Sequence, residues 1–157
     1  MSEQPVVHST FVVERSYPVL AERVFEAFAN VSIRRRWFAG GDHHEVERFE
    51  QDFRPGGHEL LSYRFKEGTP FPGVAITNEG TFLDIVQDRR IVSSGAMTLG
   101  ERRISASLVT IELIPTAEGT SLVCTHQGAF FEGADGPKMR EAGWQTLLGN
   151  LAAELAS

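Results

Sequence analysis

The stretch Pro137-Lys138-Met139-Arg140-Glu141-Ala142-Gly143-Trp144-Gln145-Thr146-Leu147-Leu148-Gly149-Asn150-Leu151-Ala152-Ala153-Glu154-Leu155 decides how the rest of the chain must fold. Trp144, Leu147, Leu148, Leu151 and Leu155 recur at intervals of three and four, the spacing that lines one face of an α-helix. Pro137 suits a first helical turn, where its missing N–H is not needed, and Gly143 lets a neighbouring element approach. The spacing predicts a long amphipathic helix. Its apolar face needs a partner, and the segments before it supply one.

From about Val46 the apolar period moves toward two, with turns at Arg54-Pro55-Gly56-Gly57, Asp88-Arg89-Arg90 and Thr116-Ala117-Glu118-Gly119. These turns separate expected strands near 46–52, 57–66, 76–86, 90–98, 103–114 and 120–129. Residues 10–15 alternate apolar with polar side chains and read as a first strand. After it, Pro18 opens a helix whose stripe is Leu20, Val24 and Phe28, widened by Phe25. A second short helix is expected over 32–37 with Ser32 as its N-cap. The order is α+β. It predicts a seven-stranded curved antiparallel sheet wrapped around the long C-terminal helix, with two short helices after the first strand. Residues 1–157 are expected to form a single domain, with no internal repeat or linker.

Apolar residues make up 41% of the chain and charged residues 23%, close to globular averages, and no apolar run is long enough for a bilayer crossing. Membrane insertion is not expected. A net charge of −6 argues against nucleic acid as a partner, because that affinity rests on Lys and Arg neutralising phosphates. Residues 1–10 lack a basic region followed by a long apolar segment, and Cys124 is the only cysteine. Both features point to a cytoplasmic location, where the Asn30-Val31-Ser32 sequon is idle.

Five stretches resemble a known family. They are Tyr17-Pro18 leading into Val24-Phe25-Glu26-Ala27-Phe28; Phe53-Arg54-Pro55-Gly56-Gly57; Glu79-Gly80-Thr81-Phe82-Leu83-Asp84-Ile85-Val86 with Asp88-Arg89-Arg90-Ile91-Val92; Gly119-Thr120-Ser121-Leu122 with Thr125-His126-Gln127-Gly128-Ala129-Phe130; and Gly143-Trp144-Gln145-Thr146-Leu147-Leu148. In order and spacing they are similar to the START-like superfamily, also called birch-pollen-allergen-like or SRPBCC. Within it they resemble the homologues of the activator of the ninety-kilodalton heat-shock chaperone's ATPase. The resemblance implies the helix-grip fold. It leaves the activity open, because the superfamily includes lipid carriers, hormone receptors, polyketide cyclases and chaperone-activating domains.

Chemistry-bearing residues are sparse. The run Asp42-His43-His44-Glu45-Val46-Glu47 holds metal-ligating types but lacks the spacing of a zinc motif, and it reads as a polar loop. No metal or cofactor is expected. Arg34-Arg35-Arg36 reads as a solvated helix face, and Cys124 as a small core residue. His126 shares a strand face with Cys124 and Leu122, which places an imidazole among apolar neighbours; His58 and Glu59 are weaker proton-carrier candidates. A curved sheet closing on a helix invites an interior cavity. The function expected first is therefore binding or carrying of a small, mainly apolar molecule. Alternation and helical phase nominate Trp37, Phe38, Phe49, Tyr63, Phe65, Phe82, Met97, His126, Phe130, Trp144 and Leu148 as its lining. The alternatives are a chaperone-activating interaction domain and a cyclase- or hydrolase-like enzyme for an aromatic or polyketide-like substrate, with no catalytic residue assigned. Candidate partners are the small apolar ligand, a chaperone and a second copy of the chain.

Overall fold

The computed structural model describes residues 6–41 and 44–157. Strand β1 (Val7–Tyr17) is followed by helices α1 (Ala21–Ala29) and α2 (Val31–Arg34) and a π-helical turn at Arg35–Ala39. The strands β2 (His44–Gln51), β3 (His58–Phe65), β4 (Ala75–Val86), β5 (Arg90–Leu99), β6 (Arg102–Thr116) and β7 (Gly119–Phe130) come next, and helix α3 (Pro137–Ala156) ends the chain. All seven strands form one antiparallel sheet in the order β1-β7-β6-β5-β4-β3-β2. This is the expected helix-grip architecture, with every strand within a few residues of its predicted place.

The helices between β1 and β2 differ from expectation in two details. Leu20 lies outside α1 and is exposed; its carbonyl accepts the first helical hydrogen bonds, from Arg23 and Val24. The apolar face of α1 is carried instead by Val24, Ala27 and Phe28. Asn30, not Ser32, caps α2: its Oδ1 accepts from the backbone N–H groups of Ser32 at 3.0 Å and Ile33 at 3.1 Å. An amide oxygen at the position before Val31 satisfies two orphan donors that a hydroxyl inside the helix cannot reach.

The sheet has a buried inner face and a more exposed outer one. In β7, Leu122, Cys124, His126 and Phe130 point inward and are buried, whereas Gln127 is exposed. Antiparallel register lines up inward residues in rows across the strands. One row is Val13, Cys124, Ile111 and Ile91, all buried. Below it, Leu122 and Leu113 continue the apolar surface. Leu148, Leu151 and Leu155 of α3 are fully or nearly fully buried and belong to the same core as Val24 and Phe28. Each such leucine is worth about 2 kcal/mol of burial. Tyr17 fixes the helix on β1 by donating its hydroxyl to the Leu148 carbonyl at 2.8 Å. Among the described residues no helix is long and apolar enough to cross a membrane.

Candidate functional site between the sheet and the first turns of the last helix

Three inward rows nearer the start of α3 have a different composition. The first holds Phe82, Ser93, Val109, His126 and Phe11; the next holds Gln51, Glu59, Gly80, Gly95, Ser107, Gly128 and Ser9; the third holds Phe49, Leu61, Asn78, Met97, Ser105 and Phe130. From Gly80 to Ser9 the middle row crosses five strands without a side chain larger than serine. A strip without large side chains thins the side-chain layer of the inner face there, because backbone pairing holds the strands at fixed spacing whatever stands on them. The backbone of α3 comes closest to β1, α1 and the π turn, and its Arg140 side chain reaches Ser105 and Phe130. Asn78, Ser93, Gly95, Met97 and Ser107 are only half-buried although their row-mates place them inward.

Glycine is required at two points of this strip. A methyl group on Gly80 would run into the Ser94 carbonyl of the neighbouring strand. One on Gly128 would meet the His126 ring, Cε1 at 2.8 Å, and the Phe130 ring at 3.0 Å. At the Gly128 end, therefore, the imidazole and Phe130 lean over the strip and close it.

His126 is 1% exposed and lies parallel to Phe11, ring centroids 4.6 Å apart and planes 4° apart. Its Nδ1 is buried and has no hydrogen-bond partner within the protein. Burial, with the positive charge of Arg140 as a second cause, pushes its pKa down to about 4, so the ring is neutral at physiological pH. The charge of Arg140 is itself neutralised. Its Nε and Nη2 donate to the two carboxylate oxygens of Asp135, both at 2.8 Å, and Nη2 also donates to Ser105 Oγ at 3.0 Å. The guanidinium stands 5.0 Å over the Phe130 ring. Tyr63 lies within the field of the same pair, and burial raises the pKa of its hydroxyl.

The opposite wall comes from the π turn. Its wider winding separates two consecutive aromatics. Trp37 enters the core and donates Nε1–H to the Ala27 carbonyl at 2.8 Å, whereas Phe38 stays half-buried between Trp144 at 6.2 Å and Phe49 at 6.4 Å. Arg34 holds the turn against the sheet. It is buried, not solvated, and its Nη1 reaches Glu59 Oε1 at 3.0 Å and Gln51 Oε1 at 2.8 Å, with the guanidinium 4.3 Å over Phe38. Arg35 and Arg36 are exposed, and Arg36 forms two bonds to Glu154 of α3.

The nominated lining residues thus fall into groups. Phe38, Phe49, Tyr63, Met97 and Trp144 are half-buried, and His126 and Phe130 close the far end. Trp37, Phe82 and Leu148 belong to the solid core. Phe65 stands at the rim between Tyr63 and exposed Phe71. Asn78, Ser105, Ser107, Asp135 and Arg140 were not nominated. The signal available for the strip was the recurrence of glycine inside strands at 80, 95 and 128, where it weakens pairing and marks close approach. Of the metal-ligating run, Asp42 and His43 lie outside the described residues. Cys124 is buried in the core, which pushes its thiol up to about 12 and leaves it inert as a nucleophile.

Two recesses, of about 370 and 480 Å³, lie on the outer face of the sheet over the same row of small residues, Gly80, Gly95 and Ser107 in the first and Ser9, Ser107 and Gly128 in the second. Side chains of Glu79, Ser94, Ala96 and Arg103 line the first, and His8, Thr10, Leu108 and Gln127 the second.

Residues 18–156 match the family described as activator of Hsp90 ATPase homolog 1-like protein. Among solved structures, a putative uncharacterized protein from Rhizobium leguminosarum is 33% identical, with 96% of each chain covered and a TM-score of 0.89. The Mll3558 protein from Rhizobium loti is 47% identical over 96% of this chain and 99% of that one, with a TM-score of 0.84. An AHSA1-like protein from Aeromonas hydrophila, 19% identical with a TM-score of 0.69 over 94% and 92% of the two chains, shares the fold. No curated protein matches the chain.

Proposed function

The chain belongs to the family of activator of Hsp90 ATPase homolog 1-like proteins, a branch of the START-like superfamily, and from that premise we propose that it binds a small, mainly apolar molecule between the sheet and the first turns of α3. The observation that carries this reading is the side-chain-poor strip from Gly80 to Gly128, ending at a buried imidazole nitrogen with no partner. Buried polar atoms are nearly always paired in native proteins, because leaving one unpaired costs about 1–3 kcal/mol. A ligand hydroxyl or carbonyl seated in the strip would remove that cost. The aromatic wall of Phe38, Phe49 and Trp144 would cover the apolar remainder of the molecule.

No acid–base pair is part of this reading. Glu59 is committed to Arg34, and His126 is too weak a base at neutral pH to carry a proton in a catalytic cycle. The test is native mass spectrometry of protein equilibrated with a cell extract, together with titration by the neutral dye Nile red. Retention of a small molecule and a saturable, blue-shifted dye signal are expected. An empty protein that also fails to take up the dye saturably would end the proposal.

The family description favours a second reading, a chaperone partner. Stimulation of a purified Hsp90 ATPase by this chain at micromolar concentration would support it, whereas unchanged turnover would remove it.

A further inference from the structure

The charge pattern of the strip narrows the ligand class, on the premise that the binding site is the one proposed above. Among the described residues, Glu59 is the single charged side chain in the three inward rows, and it is paired with Arg34 at 3.0 Å. The other buried cation that approaches the rows, Arg140, is held by both oxygens of Asp135. Each buried charge is therefore cancelled locally by a partner within the protein. The other polar groups in the rows are serines, the amides of Gln51 and Asn78, and His126, all neutral hydrogen-bonding groups.

We propose that the ligand is an uncharged molecule, apolar over most of its surface, with one hydroxyl or carbonyl that meets the imidazole of His126, and that the site rejects carboxylates and phosphates. An anion entering this strip loses its water and finds no free cation. To gain one it must compete with Asp135 for Arg140 or with Glu59 for Arg34, which exchanges one unpaired buried carboxylate for another. A neutral hydroxyl or carbonyl has no such loss. It needs one hydrogen-bonding partner, and a neutral imidazole carries both kinds: its bare nitrogen accepts from a hydroxyl and its N–H donates to a carbonyl. The low pKa of His126 supports the same conclusion, because it removes the imidazolium that would otherwise attract an anion near neutral pH.

The experiment compares 2-naphthol, 2-naphthoate and naphthalene at pH 7.5 by fluorescence and calorimetric titration of the intact chain. The wild type is expected to bind 2-naphthol at least tenfold more tightly than 2-naphthoate. His126→Phe keeps the aromatic stack on Phe11 and lacks the nitrogen; it should lose roughly tenfold in affinity for the naphthol and little for naphthalene. Asp135→Asn should improve 2-naphthoate binding at least fivefold, because it uncovers the Arg140 charge while keeping a side chain of the same shape. Folding of each variant is verified by far- and near-ultraviolet circular dichroism. Naphthoate binding as tight as naphthol in the wild type would overturn this proposal alone, since the pocket would then exist and take anions. If none of the three probes binds, the pocket reading fails and this proposal fails with it.

Discussion

The two ends of α3 rest on the same sheet and are treated differently by it. Toward the C-terminus, Leu148, Leu151 and Leu155 meet rows of isoleucine, leucine, valine and cysteine, and Val24 and Phe28 of α1 complete the enclosure. Toward the N-terminus, the helix sets Arg140 on Ser105 and Phe130 and Trp144 beside Phe38, and the neighbouring row from Gly80 to Ser9 carries no side chain larger than serine. The first end spends its side chains on packing. The second leaves them small, and holds its charges in pairs and its histidine neutral. On the proposed reading, folding energy and binding capacity are separated along one helix, and the stability of the fold does not depend on the strip being filled.

The separation is broken most severely at the packed end. Leu148→Ala should lower the unfolding free energy by about 4 kcal/mol, near the upper part of the range for a fully buried leucine, because neighbours on three elements hold the cavity open. Urea denaturation followed by tryptophan fluorescence measures it. A loss under 1 kcal/mol would mean that the packed end is as loose as the strip, and the contrast would disappear.

Next in size is the buried ion pair that pins the π turn to the sheet. Glu59→Leu strands the Arg34 charge beside Phe38 and should cost about 3 kcal/mol. Replacing both partners, Arg34→Met with Glu59→Leu, should recover at least half of that loss, because the larger penalty comes from an unpaired charge rather than from losing the pair. A double variant no better than the single one would assign the cost to lost packing.

The contrast also explains which parts of the protein were legible in the sequence. Leucine spacing after Pro137 and the three turn sequences are local signals, and the helix and the strands stand where they predict. The strip is not local. It appears only when Gly80, Gly95, Ser107 and Gly128 are aligned across neighbouring strands, and irregularities between Val46 and Arg48, Phe82 and Asp84, and Met97 and Thr98 shift that alignment. Alternation gives Phe82 its inward direction but not its depth, and it stands buried in the core beside Phe53. Arg140 was invisible for another reason. It stands four residues before Trp144 on the apolar face of the helix, but a guanidinium there gives no sign of burial until Asp135 returns and Ser105 comes beside it. The same holds for Arg34, read as one of three solvated arginines until Glu59 is brought beside it by the β2–β3 pairing.

A smaller effect comes from acid. The pKa of His126 lies near 4 in the folded protein, below its usual 6.5, so the unfolded chain binds a proton more readily between those values. At pH 7 both states are nearly neutral at this ring and little stability is at stake. As the pH falls from 7 to 5 the unfolded state is favoured by about 2 kcal/mol, and the penalty is complete below pH 4. Arg140 opposes protonation and Asp135 favours it, so Asp135→Asn should carry the loss on to lower pH. His126→Phe should flatten the decline between pH 7 and 5 in urea titrations; an unchanged slope would place the responsible group elsewhere.

The smallest expected change in stability is at the strip itself, and it discriminates most sharply between the two ends. Ser107→Leu adds a branched side chain to a position flanked by Gly95 and Gly128, within the half-buried part of the inner face. In a filled core such an enlargement forces neighbours out of their rotamers and costs about 1–3 kcal/mol. In an open strip the leucine covers apolar surface instead, and the change should stay within about 1 kcal/mol of zero. Binding should respond in the opposite sense. A leucine standing between the aromatic wall and His126 occupies the ligand's path, and Nile red affinity should fall at least tenfold while the urea midpoint hardly moves. If the variant instead unfolds early, the small residues are there because the helix and sheet close tightly over them, and the second end of α3 is packed after all.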